Sequence, residues 1–219
     1  MLFSVSKNEE KECRCIHFEK GEELKIIFSV PATGRLKRIK FTVDEIVKKV
    51  RENFVNGDLE ITYKIREDVN EKLLIVYVVT FEVTAKTNQT CFQKTKNEML
   101  LIINYLILQL EEIVDVKYPK QIILRNEFSG EIPEYDFLDF DTLMNGMGYN
   151  RIYPRSNNFF LCLNDFNVGI NIGDFNGNYV FSCICGEIDS IKIVEILNKM
   201  FEKMLKFHNE ELPKIIDFY

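Results

Sequence analysis

The chain has only two histidines, His17 and His208, which leaves little material for acid–base or nucleophilic catalysis. It lacks a Gly-x-Ser-x-Gly nucleophile turn and a His-Glu-x-x-His metal helix. The single glycine of "ATGRLK" is not followed by a Lys-Ser/Thr pair, so a phosphate-cradling loop is missing as well. Long apolar runs are also scarce. The longest, "MLLIINYLILQL" at 99–110, includes Asn104 and Gln109, whereas a membrane helix needs about twenty apolar residues. It predicts a buried helix and no membrane association. The opening "MLFSVSKNEEK" turns polar after five residues and lacks a basic start, so it does not read as a secretory signal. The six cysteines are then expected to be reduced thiols in a cytoplasm, and the sequon at Asn88 to be fortuitous.

What is present is the balance of a soluble globular protein. Of 219 residues, 46% are hydrophobic and 28% charged, enough for a self-sufficient core. A net charge of -6 disfavours general affinity for nucleic acid, whose phosphates call for clustered Lys and Arg.

Periodicity predicts an α+β fold: mostly antiparallel sheet packed against two long helices, at about 92–115 and 190–210. In "CRCIHFEKGEELKIIFSV" two alternating runs flank Gly21 and suggest a hairpin. A helix is expected from a capping box at Thr42 and Glu45, with Val43, Ile46, Val47, Val50 and Phe54 on one face. "LEITYKIR" alternates, with Leu59, Ile61, Tyr63 and Ile65 inward. "KLLIVYVVTFEVTA" reads as a long central strand, apolar on both faces at first. The helix after it carries ten apolar residues among the twelve from 99 to 110, more than one core-facing stripe requires. It is expected either between two layers or at an interface between copies of the chain.

After the strand "QIILRNEF" the composition turns acidic, and the chain divides into halves 1–118 and 141–219 joined by a connector at 119–140, or forms one continuous domain. Asp141 is the expected cap of a short helix that Gly146 and Gly148 stop. "VGINIGDFNGNYVFSCIC" is a hairpin with an Asn-Gly turn, which pairs Ile172 with Phe181, Ile170 with Cys183 and Val168 with Cys185. "FFLCLN" adds a strand upstream, and Ser190 is the expected cap of the last helix. Both halves then share an α-β-β(-β)-α outline. The layout of the second half resembles small α-β-β-β-α modules such as type III secretion chaperones.

The hairpin register puts Cys183 and Cys185 on the apolar face, where cysteine acts as a small hydrophobe. Cys91 and Cys162 have no partner spacing and are expected to be packing residues too. Cys13, Cys15, His17 and Glu19 share the wetter face of their run. Such neighbours lie about 7 Å apart, so two could share a zinc, but the usual C-x2-C knuckle is missing. "GDFNGN" fails as a calcium loop, because the sixth and twelfth positions from Asp174 are Tyr179 and Cys185. His208 is expected as a cation at a helix end.

Charge patterning says more. Residues 35–51 hold Arg35, Lys37, Arg38, Lys40, Lys48, Lys49 and Arg51 against Asp44 and Glu45, while 127–141 hold six acids and no base. In the acidic stretch the carboxylates alternate with Phe128, Tyr135, Phe137 and Phe140. Rings give a partner contact area, and charges give register and on-rate. The sequence therefore points to a non-catalytic intracellular binding or adaptor protein without cofactor. Its partner is expected to be another protein, held by Tyr135, Asp136, Phe137, Asp139 and Phe140, with self-association as a further expectation. The alternatives are a nucleic-acid or phosphate binder using Arg35, Lys37, Arg38 and Lys40, and a metal or thiol protein using Cys13, Cys15 and His17.

Overall fold

The computed structural model describes residues 22–54, 59–69, 75–87, 91–111, 119–129, 137–154, 156–172 and 178–216. Its strands are β1 (Glu22–Ala32), β2 (Leu59–Val69), β3 (Ile75–Thr87), β4 (Gln121–Ser129), β5 (Asn150–Arg151), β6 (Asn158–Cys162), β7 (Asn167–Ile172) and β8 (Asn178–Cys185). They form one sheet in the order β2-β3-β1-β4-β8-β7-β6-β5, antiparallel at every pairing. The helices are α1 (Leu36–Phe54), α2 (Phe92–Glu111), α3 (Phe137–Gly146), α4 (Ile193–Lys206) and, after a π-turn at Phe207–Glu211, the short α5 (Leu212–Ile216). The α+β class read from the sequence is the one observed. No helix among the described residues is long and apolar enough to cross a membrane.

Strict alternation along the strands makes one face of the sheet a continuous core. Leu24, Ile26 and Phe28 of β1, Phe81 and Val83 of β3, Ile122 and Leu124 of β4, and Phe181 and Cys183 of β8 are all buried there. The helices cover that face. α1 lies over β2, where Tyr63 donates to Asp44 at 2.5 Å and Arg51 donates to the Ile61 carbonyl at 2.9 Å. α2 meets the end of β3 through Thr87 and Thr95 at 3.3 Å. α4 lies over β8, with the Cys183 thiol 3.8 Å from the Met200 carbonyl.

Each half of the sheet opens with a strand, which the expected α-β-β(-β)-α outline left out. β1 precedes α1, β2, β3 and α2; β4 precedes α3, β5 to β8 and α4. The orders β2-β3-β1 and β4-β8-β7 mirror each other across a seam where Ile27 pairs with Ile123. Residues 121–129, placed by the sequence in a connector, thus form a strand paired on both sides. The second half is not a free-standing module, since its β4 continues the sheet of the first.

Other expectations are corrected. β1 takes β3 on one side and β4 on the other, so its ladder partners are not the run 13–19; that run lies outside the described residues. α1 starts six residues before Thr42, because Ile39 belongs to the same buried stripe as Val43, Ile46, Val47 and Val50. Its first turn hangs on the Arg35 carbonyl, which accepts from Arg38 and Ile39, just after Gly34 at φ 129°. The basic segment is therefore helix, not a lead-in to one. α3 likewise starts before Asp141, and Asp189 rather than Ser190 caps the last helical run by accepting from Ile191 at 3.1 Å.

The β7–β8 register is shifted by two: Ile172 pairs with Tyr179, Ile170 with Phe181 and Val168 with Cys183. A shift of two keeps every side chain on its face, so burial does not distinguish the two registers. The turn itself, 173–177, lies outside the described residues. The last helix runs past 210 because its buried stripe continues through Phe207, His208, Glu211, Leu212 and Ile215. Pro213 offers no N–H to the carbonyl four residues back, and its ring crowds that carbonyl. The preceding turn widens accordingly, with Leu212 N–H donating to the Phe207 carbonyl.

Candidate functional site

The acidic-aromatic segment does not come together as a binding surface. Tyr135 and Asp136 lie outside the described residues, and Phe137 opens α3. Asp139 is exposed, but Phe140 is 0% exposed and packs edge-to-face on Phe159 with centroids 5.6 Å apart. Asp141 accepts from Arg151 Nε at 2.7 Å, and that guanidinium stacks over Phe159 at 4.6 Å. Phe140 is thus a core anchor rather than a partner's anchor, because four residues on from Phe140 the apolar Met144 is buried as well.

The basic segment keeps its charges in water. Arg35, Lys37, Arg38, Lys40, Lys48 and Lys49 are exposed, and none of them enters an ion pair among the described residues. The first turn of α1 contains no acid, so its lysines and arginine oppose the helix dipole. Opposite the buried stripe stands Phe41, 68% exposed, with Lys37 four residues before it and Lys48 seven after. Three carboxylates interrupt this face. Asp44 is engaged by Tyr63, whose hydroxyl pKa is pushed up to about 12 by burial and by that carboxylate. Glu45 and Glu52 are exposed.

α2 resolves the excess of apolar residues noted in its sequence. Met99, Ile102, Ile103, Leu106, Ile107 and Leu110 face the core, between α1 and α4. Leu101 and Leu108 do not; they remain 58% and 54% exposed on the opposite side, one heptad apart.

The sequence gave no hint of a polar cluster under the last helix. Glu211 is buried, accepts from Tyr149 at 2.7 Å, and accepts from Lys203 at 2.7 and 3.0 Å. The Lys203 ammonium also sits 5.0 Å from the Tyr149 ring centroid. Burial and the Glu211 carboxylate hold the Tyr149 hydroxyl pKa well above the ordinary tyrosine range. Beside it, His208 is 2% exposed and donates from Nε2 to the Asn126 side chain at 2.8 Å. Burial lowers its pKa to about 4, so it is neutral near pH 7 and not the expected helix-end cation. The signal was there to read: two polar residues, His208 and Glu211, on the apolar stripe of one helix. With the helix stopped at 210, Glu211 fell off that stripe.

The thiols are inert or isolated. Cys183 and Cys185 are buried as expected, and burial raises both pKa values. Cys91 and Cys162 are exposed, contrary to their expected packing role. Cys13, Cys15 and His17 lie outside the described residues. Among the described residues no group of three His, Cys, Asp or Glu side chains is placed to hold a metal. The buried cluster satisfies its own charges and is closed to solvent, which suits a staple between β4, β5 and the chain end better than a reaction site.

No protein-family model matches the chain, and no curated protein matches it. Among solved structures, it is similar to one chain of the crystal structure of A. aeolicus tRNASec in complex with M. kandleri SerRS. Identity is 13% and the TM-score 0.40, over 89% of this chain and 32% of that one. The present chain thus spans about a third of that chain's length, and a likeness this low does not bear on function.

Proposed function

We propose that the protein acts by binding another protein, through the outer surface of its helical layer. The observation that carries this reading is the pair Leu101 and Leu108, more than half exposed on a helix whose other leucines are mostly buried. Burying an exposed leucine is worth about 1.5–3 kcal/mol, and a partner surface is one way to gain it. Phe41 adds a ring among mixed charges, the chemistry of an interface anchor. The acidic-aromatic residues contribute less: with Phe140 in the core, Phe140→Ala would test folding and not capture.

The test is capture from nuclease-treated lysate of the native host, read by mass spectrometry, with the chain and with its Leu101→Ser/Leu108→Ser form. Proteins retained by the first and lost by the second are the expected result. Identical capture by both would sink the reading. A second reading, nucleic-acid or phosphate binding through Arg35, Lys37, Arg38 and Lys40, is favoured by the unpaired bases at the start of α1. It predicts heparin retention that falls steeply with salt. The carboxylates of Asp44, Glu45 and Glu52 on the same helix count against it, since they repel a phosphate backbone but can pair with a protein.

A further inference from the structure

The strip between α1 and α2 has a definite chemistry. Asp44 and Arg51 lean toward β2, where they meet Tyr63 and the Ile61 carbonyl. The opposite flank of α1, which carries Arg38 and Lys49, is therefore turned toward α2. On α2, Phe54 packs on Tyr105 with centroids 5.1 Å apart, which turns the Tyr105 flank toward α1. Leu101 stands four residues before Tyr105 and Leu108 three after it, so the three form one ridge. An apolar ridge thus runs beside a basic one.

We infer that this strip receives an acidic amphipathic helix of another protein, an inference that rests on the protein-binding reading above. The i, i+4, i+7 spacing of Leu101, Tyr105 and Leu108 is what the ridges of a helix interlock with. An extended peptide would need a free strand edge for its backbone hydrogen bonds, and two packed helices offer none. Charge selects the sign: Arg38 and Lys49 are exposed and enter no ion pair among the described residues. A second copy of the chain would bring these same bases against each other. Polyanionic RNA would meet Glu45 on α1 and Glu98 on α2 and would leave the leucines unburied.

The probe is a fluorescent peptide of about 18 residues, roughly five helical turns, with leucines at helical spacing and glutamates elsewhere. Its twin carries lysine for every glutamate. By anisotropy the acidic peptide should bind at least about tenfold more tightly than the twin. Arg38→Glu with Lys49→Glu should erase or reverse that preference, and Leu101→Ser with Leu108→Ser should remove binding of both peptides. Circular dichroism melts confirm that each variant folds.

Equal binding of the twins, or no binding of the acidic peptide, overturns the inference. So does tighter binding of a single-stranded RNA oligonucleotide, or a dimer in sedimentation that the leucine substitutions dissolve. If the acidic peptide fails while nuclease-resistant capture still depends on Leu101 and Leu108, the helix assignment falls and protein binding stands. If that capture fails as well, both fall.

Discussion

The two halves of the sheet share their strand order but bury different chemistry. On the β2-β3-β1 side the buried polar side chains are hydroxyls, those of Ser29, Thr87 and Thr95. Charge there stays outside, along α1 and on the open face of the sheet. On the β4-β8-β7 side the buried polar groups are Asn126, His208 and Glu211, with Lys203 and Tyr149 closing the cluster. One half spends its charged residues on the surface, the other on fastening its chain end. The same topology thus leaves one helix layer available for contact while the other is tied down from inside.

The comparison can be broken first at its charged centre. Glu211→Ala leaves Lys203 without its carboxylate and should cost about 3–5 kcal/mol in urea unfolding. The corresponding loss on the other side, Glu82→Ala beside the part-exposed Lys25, should cost under about 1 kcal/mol. Equal losses would erase the contrast.

Next comes pH. His208 has a folded-state pKa near 4 against 6.5 in the unfolded chain, so the unfolded state binds more protons between those values. Stability from this group is complete above about pH 6.5 and lost toward pH 4, by about 3 kcal/mol. His208→Asn should flatten that part of the pH profile, and an unchanged slope would contradict the neutral buried imidazole. Tyr149→Phe removes one hydrogen bond to the carboxylate and should cost about 2 kcal/mol by thermal or urea melts. The smallest effect is expected on the other half, where Phe41→Ala should change stability by less than about 0.5 kcal/mol.

Much of the sheet was legible in the sequence because burial there follows period two. Leu59 and Ile61 are inward, and Phe181, Cys183 and Cys185 lie in the core, as alternation required. Alternation fixes the face but not the partner, which is why the β7–β8 register slipped by two while every side chain stayed on its side. Helix starts failed for a related reason: Thr42 and Glu45 have capping-box chemistry, yet the apolar stripe already includes Ile39. Long-range seams such as β1 beside β4 leave no local mark. Nor does composition show whether Phe140 faces water or the Phe159 ring.

The β1–β4 seam has a consequence for how the chain can be divided. Both strands are apolar toward the helices and find half of their backbone partners across that line. A polypeptide ending near residue 118 would present β1 as a bare ladder edge, uncapped by charge or proline along Ile26, Ile27 and Phe28. Such a fragment is expected to stick to itself, re-forming by intermolecular pairing what the intact chain makes within one molecule. Expression of the halves apart should therefore give assemblies rather than two small soluble proteins.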